Sequence, residues 1–305
     1  MPEDPFFGLV PDNKNSILEH RMLTRTLSGE PPKTILPPGA IDTQNHIYLP
    51  GFASAPGAVP LPPDPPSPDD YRRVMAWLGI ERVVITQGNA HGRDNGNLLA
   101  CLAQMGAIAR GVGIIDGTTS DAELARLADG GIVGARIMDL AGGAVGLGEL
   151  EAVDGKAAAM GWCLAVQFDG SNILEHEQRL SSLDSRWILD HHGKFLFGVT
   201  PNSPEVDAVK RLIDKGQCWF KFAGCYESSR QGGPNYEDIG EVARVIAAHA
   251  PDRIIWGSNF PHNSAKTTAD YPNDAALLDL AMSWLPDDES RRKCLLDNPQ
   301  ELFFR

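Results

Sequence analysis

Eight short apolar runs, each ending in a polar side chain and each followed by a helix-forming stretch, constrain this chain more than any other feature. The first is Gly39-Ala40-Ile41-Asp42-Thr43-Gln44-Asn45-His46; the others cover 81–87, 111–116, 131–138, 162–168, 187–191, 218–223 and 252–258. Strand–helix alternation without hairpin turns implies parallel strands joined by crossover helices. Several helix boundaries are marked. Ser67-Pro68-Asp69-Asp70 offers a cap, a first-turn proline and acids at the positive end of the dipole, and Ser203-Pro204-Glu205 repeats the signal. Val206, Val209 and Ile213, and then Ile239, Val242, Ala243 and Ile246, recur at helical spacing. Eight strand–helix units close a (β/α)8 TIM barrel, with a doubly wound open sheet as the competitor. The barrel is the fold expected, as one α/β unit of about 250 residues.

The barrel is assigned to residues 39–305, preceded by an irregular arm over 1–38 with a small basic patch at Arg21 and Arg25. Residues 49–66 are too rich in Pro and Gly for regular structure. Such a loop at the carboxyl end of a strand is either a lid or a plain surface excursion.

A formal charge of −13 argues against a nucleic-acid or anionic-membrane partner, since both require a basic face. Cys101, Cys163, Cys218, Cys225 and Cys294 are odd in number and scattered, which fits reduced thiols in a cytoplasmic protein. The first ten residues lack the pattern of a signal peptide, and no stretch approaches the roughly 20 apolar residues of a membrane span. A homo-oligomer stays open.

In a parallel barrel the reacting groups come from the carboxyl ends of several strands. Here those ends carry Gln44 and His46; Gln87, Asn89 and His91; Arg136; Gln167; Asp190, His191 and His192; Lys221; and Asn259 with His262. Gln44 and His46 are two apart, so on a strand they share a side. His192 has opposite parity to His191, so His191 is the one expected in the lumen. Each residue also has a bland alternative: His46 as a hydrogen-bonded core group, Arg136 in an ion pair with Asp139. An inward Lys221 between aromatic residues is costly unless paired. His176 and His249 fall on helices and are expected to be solvated.

Five stretches carry a family resemblance. Asp42-Thr43-Gln44-Asn45-His46 resembles the Asp-x-His-x-His that opens the barrels of the amidohydrolase superfamily, except that Gln44 stands where the first His belongs. Residues 187–195 resemble its strand-six Asp-His-x-Gly, and 254–263 its strand-eight Gly-Thr/Ser-Asp-x-Pro-His, with Asn259 replacing the Asp. Residues 86–95 and the C-terminal Asn298-Pro299-Gln300-Glu301-Leu302-Phe303 add to the set. The resemblance spans 39–305 and is nearest to the branch acting on 2-pyrone-4,6-dicarboxylates and sugar-acid lactones.

Metal-dependent members of that family use the two strand-one histidines as ligands and the strand-eight Asp as ligand and general base. Neutral amides are poor substitutes in both roles. The resemblance with these departures implies no catalytic metal, no cofactor and weakened hydrolysis. Acyl transfer within one substrate remains possible: conversion of a sugar-diacid 1,5-lactone to its 1,4-lactone. His46, His191 and Asn259 are then the catalytic candidates, the histidines polarising the carbonyl and shuttling the proton. Gln44, Gln87, Asn89, Arg136, Gln167 and Lys221 are the substrate-binding candidates, with Arg136 and Lys221 for the free carboxylate. A lactone hydrolase using His262 or Asp190 as base, and a non-catalytic sugar-acid-binding barrel, are the alternatives.

Overall fold

The computed structural model describes residues 23–305. Arg21 and the arm up to residue 22 lie outside them. From Leu23 to Ala40 the chain forms no helix or strand, and Arg25 donates to the carbonyls of Pro63 and Asp64 in the Pro-rich loop, at 2.7 and 2.5 Å.

Eight strands then alternate with helices: β1 (Ile41–Asn45), α1 (Pro68–Leu78), β2 (Arg82–Thr86), α2 (Gly96–Met105), β3 (Ala109–Gly113), α3 (Asp121–Asp129), β4 (Ile132–Asp139), α4 (Leu150–Ala159), β5 (Cys163–Phe168), α5 (Ile173–Leu180), β6 (Arg186–Leu189), α6 (Pro204–Asp214), β7 (Cys218–Phe222), α7 (Glu237–His249), β8 (Ile254–Trp256) and α8 (Asp274–Ser283). All neighbouring strands pair in parallel and in sequence order. Just beyond β8, the Asn259 amide donates to the Gln44 carbonyl and the His46 amide to the Phe260 carbonyl, both at 2.8 Å. Those bonds bring the last strand back to the first, and the TIM barrel is the fold.

The start of α1 follows the residues. Ser67 accepts from the Asp70 amide while Asp70 accepts from the Ser67 amide, Pro68 needs no donor there, and Gly79 ends the helix at φ 84°. The expected Ser203 cap on α6 does not form, because that hydroxyl accepts instead from the Thr200 amide at 2.9 Å.

Apolar side chains sort into two layers. Ile41, Val84, Val112, Ala165, Ile188, Trp219 and Ile255 fill the lumen, and Leu302 and Phe303 of the C-terminal helix (Asn298–Phe303) belong to that same cluster. The larger layer packs helices on the outside of the strands. Each fully buried Leu, Ile or Phe contributes about 1.5–3 kcal/mol. All five cysteines are buried and unpaired. Among the described residues no helix is long and apolar enough to cross a membrane.

Candidate active site

Strands here stop earlier than their apolar runs imply, and the polar groups sit in the turns just past them. β1 bends through a register shift between Asp42 and Asn45, and Gly257 allows the close approach; a Cβ there would lie 2.3 Å from that of Gln44. Gln44 therefore points deep inside, where its Oε1 accepts from Lys221 Nζ at 2.9 Å and Thr86 Oγ1 at 3.2 Å. His46 lies higher, 8% exposed. Its Nδ1 donates to the Thr86 carbonyl at 2.8 Å, leaving Nε2 as the acceptor nitrogen. Burial, followed by the charge of Arg136, lowers this imidazole to about 3, so it is neutral near pH 7.

His46, Tyr48, Asn89, Asn263 and Lys266 line a cavity of about 390 Å³ roofed by Val59, Pro60, Leu61, Pro62 and Pro63. The Pro-rich loop is thus a cover over the strand ends rather than a remote excursion. It is pinned where the Ala55 amide meets the Ala90 carbonyl at 2.8 Å.

Next to this cavity Arg136 is 3% exposed, and all its partners among the described residues are neutral. It donates to Gln167 Oε1 at 2.7 Å, Asn89 Oδ1 at 3.2 Å, the Gln87 carbonyl at 3.3 Å and Met138 Sδ at 3.4 Å. Burial lowers its affinity for the proton, with Asp190 and Glu227 opposing from longer range. The ion pair with Asp139 does not form. Gln87 is turned away, donating to the Asp94 carbonyl at 2.6 Å, so its amide nitrogen serves the fold of its own loop.

The opposite wall differs from the expectation. Lys221, 1% exposed, sits 2.9 Å from both Asp190 Oδ1 and Gln44 Oε1. Its ammonium is occupied within the barrel, so the assignment of Lys221 to a substrate carboxylate is revised. Burial opposes the Asp190 charge, but Lys221 and then His191 outweigh it and hold the carboxyl far below the usual range. Asp190 is accordingly not available as a base.

His191 lies beyond β6, where His191, Gly193 and Lys194 take φ of 50°, 71° and 50° and His192 takes 54°. That left-handed turn, not strand parity, separates the two histidines. His192 stacks on Phe222 at 4.9 Å outside the barrel, whereas His191 donates through Nε2 to Asn259 Oδ1 at 3.2 Å. Asn259 is itself fully engaged, its Nδ2 reaching Tyr226 Oη at 2.9 Å and Glu227 Oε1 at 3.0 Å. Its expected catalytic part is therefore indirect. His262 is wholly buried between Tyr226 and Asp274, which removes it as an alternative base. His249, read as solvated, pairs with Asp214, and His176 edges onto Phe168.

Tyr226, Glu227 and Asp274 were not identified from the sequence. The first two follow β7 directly, so the rule that found the other strand ends extends to them once the strand is seen to stop at Phe222. Asp274 looks like an ordinary acid in the first turn of α8. Burial raises the Glu227 carboxyl, yet His191 and Lys194 outweigh it and bring it down to about 2.

These donors do not suit a catalytic metal. The Gln44 and Asp190 oxygens already share the Lys221 ammonium, and Asn259 Oδ1 faces a donor. Among the described residues no group of three or more His, Cys, Asp or Glu side chains is arranged to hold a metal ion.

The D-galactarolactone isomerase of Agrobacterium fabrum is 56% identical over 282 residues, covering 92% of this chain and 96% of that protein. A 2-pyrone-4,6-dicarboxylate hydrolase of Comamonas testosteroni is 29% identical over 90% of this chain and 92% of that one. An apo crystal structure from Agrobacterium tumefaciens superposes with a TM-score of 0.90 at 56% identity, covering 92% of this chain and 99% of its own. With the amidohydrolase family model matching residues 41–305, the chain belongs to the amidohydrolase family.

Proposed function

We propose that this enzyme is a lactone isomerase that converts a sugar-diacid 1,5-lactone, D-galactaro-1,5-lactone first among them, to the 1,4-lactone without a metal or other cofactor. The observation that carries this is Arg136: a buried guanidinium with only neutral partners, beside a roofed cavity lined by a neutral histidine. A buried cation without a counter-ion is costly, and a bound carboxylate relieves that cost bidentately. The 56% identity to an isomerase of such a lactone supports the same reading.

The substrate's 4-hydroxyl attacks C1, the C1–O5 bond breaks, and the proton leaving O4 ends on O5, so nothing is gained or lost. His46 Nε2 takes that proton and returns it. Arg136 is one of the charges that weaken His46 as a base. A carboxylate set against Arg136 cancels that charge, so the base strengthens once substrate is in place. His191 Nε2–H turns from Asn259 toward the carbonyl oxygen as negative charge develops there. Gln167 and Asn89 orient Arg136, and Gln44 and Lys221 hold the floor. An aligned intramolecular nucleophile has an effective molarity of roughly 10⁵ M or more, so orientation supplies much of the rate. The loop over 49–66 keeps water from the ester. The unpaired thiols fit a cytoplasmic setting.

An NMR time course with galactaro-1,5-lactone, repeated with chelator, tests this. The 1,4-lactone should appear with chelator making no difference. Open diacid as the first product would establish hydrolysis instead, and binding without turnover would leave a non-catalytic barrel.

A further inference from the structure

The second wall of the site contains a series of hydrogen bonds running out to α8. Asp274 Oδ1 lies 2.9 Å from His262 Nε2, His262 Nδ1 lies 2.7 Å from Tyr226 Oη, and Asn259 Nδ2 lies 2.9 Å from that same oxygen. Asn259 Oδ1 then meets His191 Nε2 at 3.2 Å. None of Tyr226, Glu227, His262 and Asp274 lines the cavity that contains His46.

The two carboxylates decide the direction of every bond. An ionised carboxylate only accepts, so His262 must carry hydrogen on the nitrogen facing Asp274. Its other nitrogen then accepts from the Tyr226 hydroxyl, whose oxygen accepts from Asn259 Nδ2. The second Nδ2 hydrogen goes to Glu227 Oε1 at 3.0 Å, while Lys194 holds Glu227 Oε2 at 2.6 Å. With both amide hydrogens committed, the Asn259 oxygen can only face His191. The backbone reinforces the arrangement: Asn259 and His262 sit at φ 61° and 55°, and a Cβ on Gly224 would lie 2.6 Å from Asn259 Nδ2. Left-handed non-glycine residues cost about 1–2 kcal/mol each, so the surrounding contacts must hold them there.

We infer that Tyr226, Glu227, His262 and Asp274 are positioning residues that hold the Asn259 amide in one orientation and, through it, keep hydrogen on His191 Nε2 against the pull of Asp190 Oδ1, which lies 3.2 Å from Nδ1 and favours the other tautomer. His191 is thereby kept as a donor, opposite in role to His46, whose Nδ1 is the nitrogen occupied by a carbonyl. The catalytic consequence rests on the isomerase reading; the tautomer does not.

Glu227→Gln and Tyr226→Phe test the chain, the first nearly isosteric and the second keeping the ring. Ring-¹⁵N NMR of histidine-labelled protein should show His191 protonated on Nε2 in the native enzyme and a mixture of tautomers in both variants. With a sugar-diacid 1,5-lactone, kcat should fall roughly tenfold to a hundredfold while KM stays within about twofold. Unchanged His191 ring signals in Glu227→Gln would overturn the inference, whatever Tyr226→Phe does to folding. A shifted tautomer with full kcat would overturn its catalytic part. A native enzyme without turnover would defeat the isomerase reading and leave the NMR test intact.

Discussion

The two walls of the site are built on opposite principles. The wall from β1 to β5 presents His46, Asn89, Arg136 and Gln167, where a buried cation meets only neutral groups and one imidazole nitrogen faces a cavity. The wall from β6 to β8 presents Asp190, His191, Lys221, Glu227 and Asn259, where the carboxylates are ion-paired and Asn259 is bonded through both its oxygen and its nitrogen. Unspent capacity marks the first as the place where a ligand is met. Ion-paired carboxylates mark the second as a frame that sets the geometry of the donor it holds. The Lys221 ammonium joins the two walls, bridging Gln44 of one and Asp190 of the other.

Breaking the comparison at its most exposed point gives the largest expected effect. His46→Gln should retain fold and binding but lower kcat about 10²- to 10⁴-fold, the range for a general base. Steady-state kinetics with the 1,5-lactone decide this, and a variant within tenfold of native activity would move the base elsewhere. The frame should respond through stability instead. Lys221→Met leaves Asp190 buried without its cation, a loss of about 3–5 kcal/mol by urea denaturation. A loss near zero would show that the closed wall does not depend on this pair.

Arg136→Met should separate the walls again, weakening a carboxylate-bearing lactone about ten- to hundredfold by calorimetry while a neutral analogue loses little. Equal losses for both ligands would make Arg136 structural.

The pH dependence of stability gives a further expectation. His46 and His192 are lowered to about 3, so below their unfolded value of about 6.5 the unfolded chain binds more protons than the folded one. Glu227, lowered to about 2, acts in the same direction below about 4.3. Stability should therefore fall steadily as pH drops from about 6.5, and His46→Gln should flatten part of that slope between about 6.5 and 4 in urea titrations.

The sequence by itself determined the barrel, because eight apolar runs alternating with capped, amphipathic stretches leave a parallel sheet few other ways to close. It also determined which strand ends are polar and, through Gln44 and Asn259, that two positions of the metal pattern hold amides. Only the tertiary structure decided how those groups are used. Strand parity could not separate His191 from His192, because both lie in a left-handed turn whose geometry depends on what packs around it. Local sequence gave no sign that Lys221 and Asp190 neutralise each other while Arg136 has no such partner among the described residues, since each distance is set by strands far apart in the chain. Tyr226, Glu227 and Asp274 look like ordinary polar residues beside a turn and a helix start. They become a hydrogen-bonded chain only because barrel closure places β7, β8 and α8 side by side, and the direction of a hydrogen bond is fixed by both of its ends.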